Sequence, residues 1–246
     1  MKLLDLKTMT REEDFFKFEG EHFTVVFTNA ENSRSFNRNT EAGICELNSL
    51  KDRFKVKDVA YLKQIHSDTI LNYKLDDAKF NNNEGDAIVT DEKEVIIGVF
   101  TADCVPVILV DDKRGISAAI HSGWRGTFES ITLKTVEKMK SEHGCKGEDI
   151  KAFIGPHIRK CCYEVSEELK EKFLDKKKEI DPENLFDNRN LNLEACIEKD
   201  LLDGGIKAEN INSLNLCTYC CDKIKLHSYR KSEGSYGRMF AFVILH

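Results

Sequence analysis

The sequence predicts an α/β (α+β) fold: a single-domain three-layer sandwich in which a mixed β-sheet is flanked by helices. Three observations lead there. Apolar, β-rich runs recur along the chain, amphipathic helical patterns separate several of them, and the runs between residues 86 and 121 follow one another through short connections. Connections that short exclude strict strand–helix alternation and leave a mixed sheet whose faces helices must cover. No internal repeat, Pro/Gly/Ser linker or break in composition divides the 246 residues, so one domain spanning 1–246 is expected.

In chain order, a first strand is read at 22–28 and a helix over about 40–53. Strands follow at 59–64, 69–73, 86–90, 95–100, 105–110 and 116–121, each an alternating or continuous apolar run. The clearest helix covers 127–143, where Phe128, Ile131, Thr135, Val136 and Met139 share a face and Gly144 supplies the stop. A strand at 150–154, helices near 165–176 and 193–203, and a last strand at 239–245 complete the set. The charge-rich stretch 170–183 reads as a solvated helix face and loop.

Composition narrows the function classes. With 41% hydrophobic and 33% charged residues and only three prolines, the chain has the make-up of a packed globular protein. Its net charge of −6 is spread without a basic stripe, so neither nucleic acid nor an anionic membrane is an expected partner. The longest apolar runs, 105–110 and 239–245, are too short to span a bilayer, and residues 1–18 contain no signal-peptide core. Nine cysteines without a regular disulfide spacing fit reduced thiols or metal ligands. The expectation is a soluble cytoplasmic protein, monomer or homodimer, acting on small molecules.

Three candidate metal ligands each close an apolar run: His66, Cys104 and His121. Irregular turns at strand ends are where polar groups converge on a rigid frame. Two imidazoles and a thiolate suit zinc, and three protein ligands leave a fourth position open, as in catalytic sites. Taken singly, each residue is more often a hydrogen-bonded core histidine or a small buried thiol. Local context favours the site. Thr101-Ala102-Asp103-Cys104-Val105-Pro106 sets the thiol in a tight turn beside a carboxylate, so Asp103 is a candidate supporting or catalytic group. His121-Ser122-Gly123-Trp124-Arg125-Gly126-Thr127 leads into a helix start, where Arg125 and backbone N–H groups suit an anion.

These motifs resemble the YfiH-like proteins, long labelled laccase-domain or polyphenol oxidase proteins and later described as purine nucleoside phosphorylases. The resemblance runs in order through Gln64-Ile65-His66-Ser67, Gly85-Asp86-Ala87-Ile88-Val89-Thr90, the two motifs above, Ile154-Gly155-Pro156, Cys161-Cys162-Tyr163-Glu164-Val165, Cys217-Thr218-Tyr219-Cys220, Ser228-Tyr229-Arg230 and Gly237-Arg238. It implies a single α/β domain with His66, Cys104 and His121 as zinc ligands. The implied activity is phosphorolysis of purine nucleosides (adenosine, inosine, guanosine, methylthioadenosine) with accompanying adenosine deamination. Gln64, Asp86, Arg125, Arg230 and Arg238 are the expected substrate and phosphate contacts; the two C-terminal arginines also have a plain reading as surface charges. Members usually carry an arginine after the first strand, where this chain has Asn29-Ala30-Glu31. The replacement predicts weakened phosphorolysis relative to deamination, with Arg34 or Arg38 substituting only if their loop folds back.

The remaining cysteines have several readings. Cys217-Thr218-Tyr219-Cys220 is either a redox pair or half of a zinc knuckle with Cys161-Cys162, but adjacent cysteines seldom chelate one ion well and no thioredoxin-like pattern surrounds them. Buried thiols lining the core near the site are expected instead. His157 and His227 rank lower as site residues.

Three rival functions fit some of the same residues. A copper-dependent, laccase-like oxidase would use the same Cys and two His, yet a multicopper enzyme needs more imidazoles than the seven histidines provide. A metal-free hydrolase with Cys104 activated by His121 leaves His66 without a task. A non-enzymatic zinc-stabilised interaction module conflicts with a three-ligand set, since structural sites close with four.

Overall fold

The structure, a computed structural model, describes residues 1–3, 10–12, 15–232 and 237–246. Tyr236, which precedes the Gly237-Arg238 motif, lies outside the described residues. In chain order the strands are β1 (Lys2–Leu3), β2 (Thr10–Glu12), β3 (Phe15–Glu19), β4 (Phe23–Thr28), β5 (Asp58–Ala60), β6 (Ile70–Asn72), β7 (Ala87–Thr90), β8 (Val95–Thr101), β9 (Val105–Asp111), β10 (Ile116–Ser122), β11 (Ile150–Ile154), β12 (Phe186–Asp187), β13 (Asn190–Leu191), β14 (Ile211–Ser213) and β15 (Met239–Leu245). The helices are α1 (Glu41–Phe54), α2 (Trp124–Phe128), α3 (Ile131–His143), α4 (Glu167–Lys176), α5 (Pro182–Leu185) and α6 (Leu193–Asp203).

The expected mixed sheet flanked by helices is present twice over. One sheet has the order β1-β14-β11-β9-β10-β7-β6, the other β2-β3-β4-β15-β8-β5, and each combines parallel with antiparallel pairs. Alternation of side chains explains how they stack. On β9, Val107 and Leu109 join a core with α3 and α6, whereas Ile108 and Val110 face the second sheet. On β15, Ala241 and Val243 face inward, while Phe240 and Phe242 pack with Leu47 and Leu50 of α1. The layers therefore run helix, sheet, sheet, helix. Strands buried on both faces read as unbroken apolar runs, which is why one sheet could not be told from two in the sequence.

Several elements differ from expectation for identifiable reasons. The run 59–64 leaves the sheet after Ala60, because Tyr61 and Lys63 bond Asn81 and Asn83 instead of a neighbouring strand. The helix expected over 127–143 is broken at Ser130, which adopts a left-handed conformation (φ 58°) between α2 and α3. Gly144 stops α3 as expected, with φ 66° and its N–H on Lys140 O. The sequence pattern does not mark β1, β2, β3, β12, β13 or β14: β14, for one, is three residues long with two polar side chains, too short a pattern to carry a period. Among the described residues, no helix is long and apolar enough to cross a membrane.

Phe153 on β11 seals the space between the sheets, fully buried with Phe18 and Phe23 ring centroids 4.8 and 5.9 Å away. Phe153→Ala is expected to destabilise the fold by about 3–5 kcal/mol, since the sheets cannot close on the void. A urea-unfolding midpoint lowered by an amount consistent with that loss checks it.

Candidate functional site

The two-sheet arrangement brings the three predicted ligands together. Strand β8 belongs to one sheet and β9 to the other, so the 102–104 connection crosses between layers and places Cys104 there. The register of β10 sets His121 opposite Pro106 on β9, next to the crossing. His66 arrives from the irregular segment after β5. The ligand atoms of the three residues all lie within 4.8 Å of one another, with Cys104 Sγ 3.8 Å from His66 Nε2. In a tetrahedral zinc site bonds of 2.0–2.3 Å place ligand atoms about 3.5 Å apart, so the donor set fits such an ion with little adjustment.

Asp86 organises the cluster rather than facing a substrate. Its side chain is fully buried, and the register that sets Ala87 opposite Ile120 brings it beside His121. His121 Nδ1–H donates to Asp86 Oδ1 at 2.8 Å, leaving Nε2 for the metal position. The same carboxylate accepts the backbone N–H groups of Ile65 (3.3 Å), His66 (3.1 Å) and Ser67 (2.6 Å), and the Ser67 hydroxyl (2.7 Å). Those bonds hold His66 in a left-handed conformation, φ 59°, that a non-glycine residue adopts only under constraint. Burial alone would raise the Asp86 pKa, but the bonds from His121 and Ser67 outweigh it and hold the carboxyl below its usual range.

Cys104 and His121 stabilise each other as a thiolate–imidazolium pair, whose Nε2 proton a metal ion would displace on binding. Burial pushes the Cys104 thiol up, yet the adjacent His121 charge and hydrogen bonds from both histidines bring it down to about 6. Burial likewise disfavours a charged His121, but Cys104 and Asp86 hold it up at about 9. Gly123 passes close behind: a Cβ there would sit 2.9 Å from His66 Cδ2 and 3.1 Å from Cys104 Sγ. Only glycine leaves the ligands room.

A cleft of about 520 Å³ opens over the cluster, lined by His66, Cys104 and His121 together with Gln64, Asp103, Arg230 and Arg238. Gln64 lines it but spends its amide on the backbone of Phe100, donating to its O at 2.8 Å and accepting its N–H at 2.7 Å. Both oxygens of Asp103 are engaged, Oδ1 by the Thr218 hydroxyl (2.6 Å) and Oδ2 by the Arg230 N–H (2.8 Å). Asp103 (φ 93°) thereby ties the Cys104 turn to Thr218 and Arg230 at the cleft. Arg125 is not part of the cleft: it is exposed and packs on Trp124, its guanidinium carbon 5.1 Å from the ring centroid. Of the lower-ranked histidines, His157 is buried with Nδ1 on Gly155 O, and His227 donates to Arg34 O; neither lines the cleft.

The structure sets Asn29 away from the cleft. Asn29 is fully buried, its Oδ1 accepts the Glu31 N–H, and it does not line the cleft. Arg34 is also taken, paired with Glu46 at 2.6 Å. Arg38 lines the cleft instead, with Asn37 and Asn39. Its loop does fold back: Phe36 N–H bonds Arg238 O, Arg238 N–H bonds Ser35 Oγ, and Thr40 bonds Asn37 O before capping α1 on Gly43 N–H. Gly43 permits the approach, since a Cβ there would lie 2.0 Å from Asn37 O. The aromatic wall of Phe100, Trp124, Tyr163 and Tyr229 was also not foreseen as such.

Asp86→Ala should weaken metal binding about 10- to 100-fold, as loss of such supporting carboxylates does elsewhere. Competition against a chromogenic chelator measures it; unchanged affinity would deny Asp86 its organising role.

Comparison with known proteins places the chain in a family. A family model described as multi-copper polyphenol oxidoreductase laccase matches residues 6–246. A purine nucleoside phosphorylase of Clostridium acetobutylicum is 46% identical over 94% of this chain and 95% of its own. A protein named adenosine deaminase, from an unknown prokaryotic organism, is 35% identical over 63% of this chain and 60% of its own. The crystal structure of the Bacillus licheniformis hypothetical protein YfiH superposes with a TM-score of 0.85 over 96% of this chain and 97% of that one, at 24% identity, and speaks for the fold alone. With the family match running through nearly the whole sequence and the curated relative aligned over 94% of it, the chain belongs to the YfiH-like laccase family.

Proposed function

We propose that this protein is a zinc-dependent purine nucleoside phosphorylase with accompanying adenosine deaminase activity, its zinc held by His66, Cys104 and His121. One observation carries the reading: a three-ligand cluster at the base of a cleft that also presents Arg38, Arg230, Arg238 and an aromatic wall. The cleft has the size of a small-molecule site. Aromatic faces suit a flat purine, and guanidinium groups suit phosphate, which they bind with charge-assisted, bidentate geometry. The names of the phosphorylase and deaminase relatives support both activities.

In phosphorolysis the arginines would hold phosphate against the anomeric carbon of the sugar, converting a bimolecular attack into one between pre-oriented groups. Zinc, when bound, supplies Lewis acidity strong enough to ionise water near neutral pH, which suits deamination. Asp86 keeps the His121 proton on Nδ1, and Asp103 anchors the Arg230 backbone at the cleft edge. We further read residues 1–246 as one enzyme domain in the cytoplasm, a setting that suits nine free cysteines.

Incubation with adenosine or inosine should release free purine only when inorganic phosphate is present, with ribose 1-phosphate as co-product. Free ribose formed without phosphate would point to a hydrolase, and oxidation of phenols with bound copper to the laccase reading. Arg38→Ala should raise the KM for phosphate by about 10- to 150-fold, the loss of a charge-assisted contact of about 1.5–3 kcal/mol, while adenosine deamination is largely spared. Steady-state rates at varied phosphate separate the two effects.

A further inference from the structure

We propose that Cys161, Cys162, Cys217 and Cys220 form a second metal centre, a closed tetrathiolate site for a structural zinc ion outside the cleft. The sequence suggested otherwise, because adjacent cysteines on an extended chain point apart. Here they sit in a turn, where the N–H groups of Cys162 and Tyr163 both bond Arg159 O at 2.8 and 2.9 Å. All four sulfurs lie within 4.8 Å of one another, and Cys161 Sγ is 3.6 Å from Cys220 Sγ. Zinc–sulfur bonds of 2.3 Å at tetrahedral angles place sulfurs about 3.8 Å apart. The cluster thus has the dimensions of a four-thiolate cage, and four protein ligands leave no open position, the mark of a structural site.

The second pair of cysteines is held in a turn of its own. The Cys217–Cys220 segment closes a turn with Cys221 N–H on Cys217 O at 3.1 Å. One ion uses all four sulfurs without the oxidant that either one disulfide or two would require. Cys161 and Cys220 are exposed and Cys217 is buried, so an ion has a route in and an anchored floor. None of the four lines the cleft.

The ion would clip together two segments that pair through few bonds, His157 N–H to Leu216 O and Thr218 N–H to His157 O. Both segments reach the active cleft. Tyr163, next to Cys162, lines it, and Thr218, next to Cys217, bonds Asp103 beside Cys104. The second centre therefore braces the walls of the first without joining its chemistry.

The test uses full-length Cys104→Ser protein, purified under reducing conditions with zinc and analysed for metal by mass spectrometry. It should retain one zinc per chain, and adding Cys161→Ser or Cys220→Ser should remove it and lower the melting temperature. Cobalt loading of the same Cys104→Ser protein should give the intense thiolate charge-transfer and visible bands of a four-sulfur site, a readout that needs no further cysteine substitution. Failure of the His66/Cys104/His121 centre would alter the wild-type metal count and leave the Cys104→Ser count unchanged, so the two proposals fall separately. No metal in the Cys104→Ser protein, or a Cys161–Cys220 disulfide in peptides from the reduced preparation, would overturn the second centre.

Discussion

The buried carboxylate of Asp86 is the interaction on which the site depends. Removing a charge from water is costly unless every lone pair is used, and here five donors use them. The donors come from two chain segments far apart in sequence, the Ile65-His66-Ser67 turn and β10. One group thereby sets the strained backbone of one ligand and the tautomer of another. The site is precise because those two positions are not independent: displacing either leaves a buried charge under-bonded.

Cys104 needs no such anchor on its own side chain, since the sheet architecture delivers it. The crossing from β8 to β9 must span two layers in the three residues 102–104. That tightness forces Asp103 to φ 93°, and its carboxylate then gathers Thr218 and Arg230 from the C-terminal loops. Two aspartates with opposite tasks follow from one geometry. Asp86 works beneath the candidate ligands, saturated by its five donors, and Asp103 beside them, with one donor on each oxygen.

What was legible in the sequence follows from the length scale of each signal. Strands such as β9 and β10 announce themselves as apolar runs, and α3 through its spaced Ile131, Thr135, Val136 and Met139 and its Gly144 stop. The candidate cluster of His66, Cys104 and His121 was legible because each ends such a run within a recognisable motif. The division into two sheets was not, because Val107 and Ile108 look alike in sequence although they face different cores. Nor was the task of Asp86, which depends on the register of β7 against β10, or the exposure of Arg125, which depends on where a five-residue helix points.

The position of Asn29 shows how a substitution read in isolation misleads. In sequence it is the absence of a cation. In the structure the backbone after β4 is buried, and an uncompensated guanidinium placed there would pay a large desolvation penalty. Arg38 joins Arg230 and Arg238 at the cleft, carried by a loop whose shape needs Gly43 under Asn37, Thr40 as helix cap and Arg238 as backbone partner. Those residues bond backbone groups, so the loop holds its course whichever side chain stands at 38. Placement of charge by a backbone-locked loop thus does not depend on the residue that follows β4.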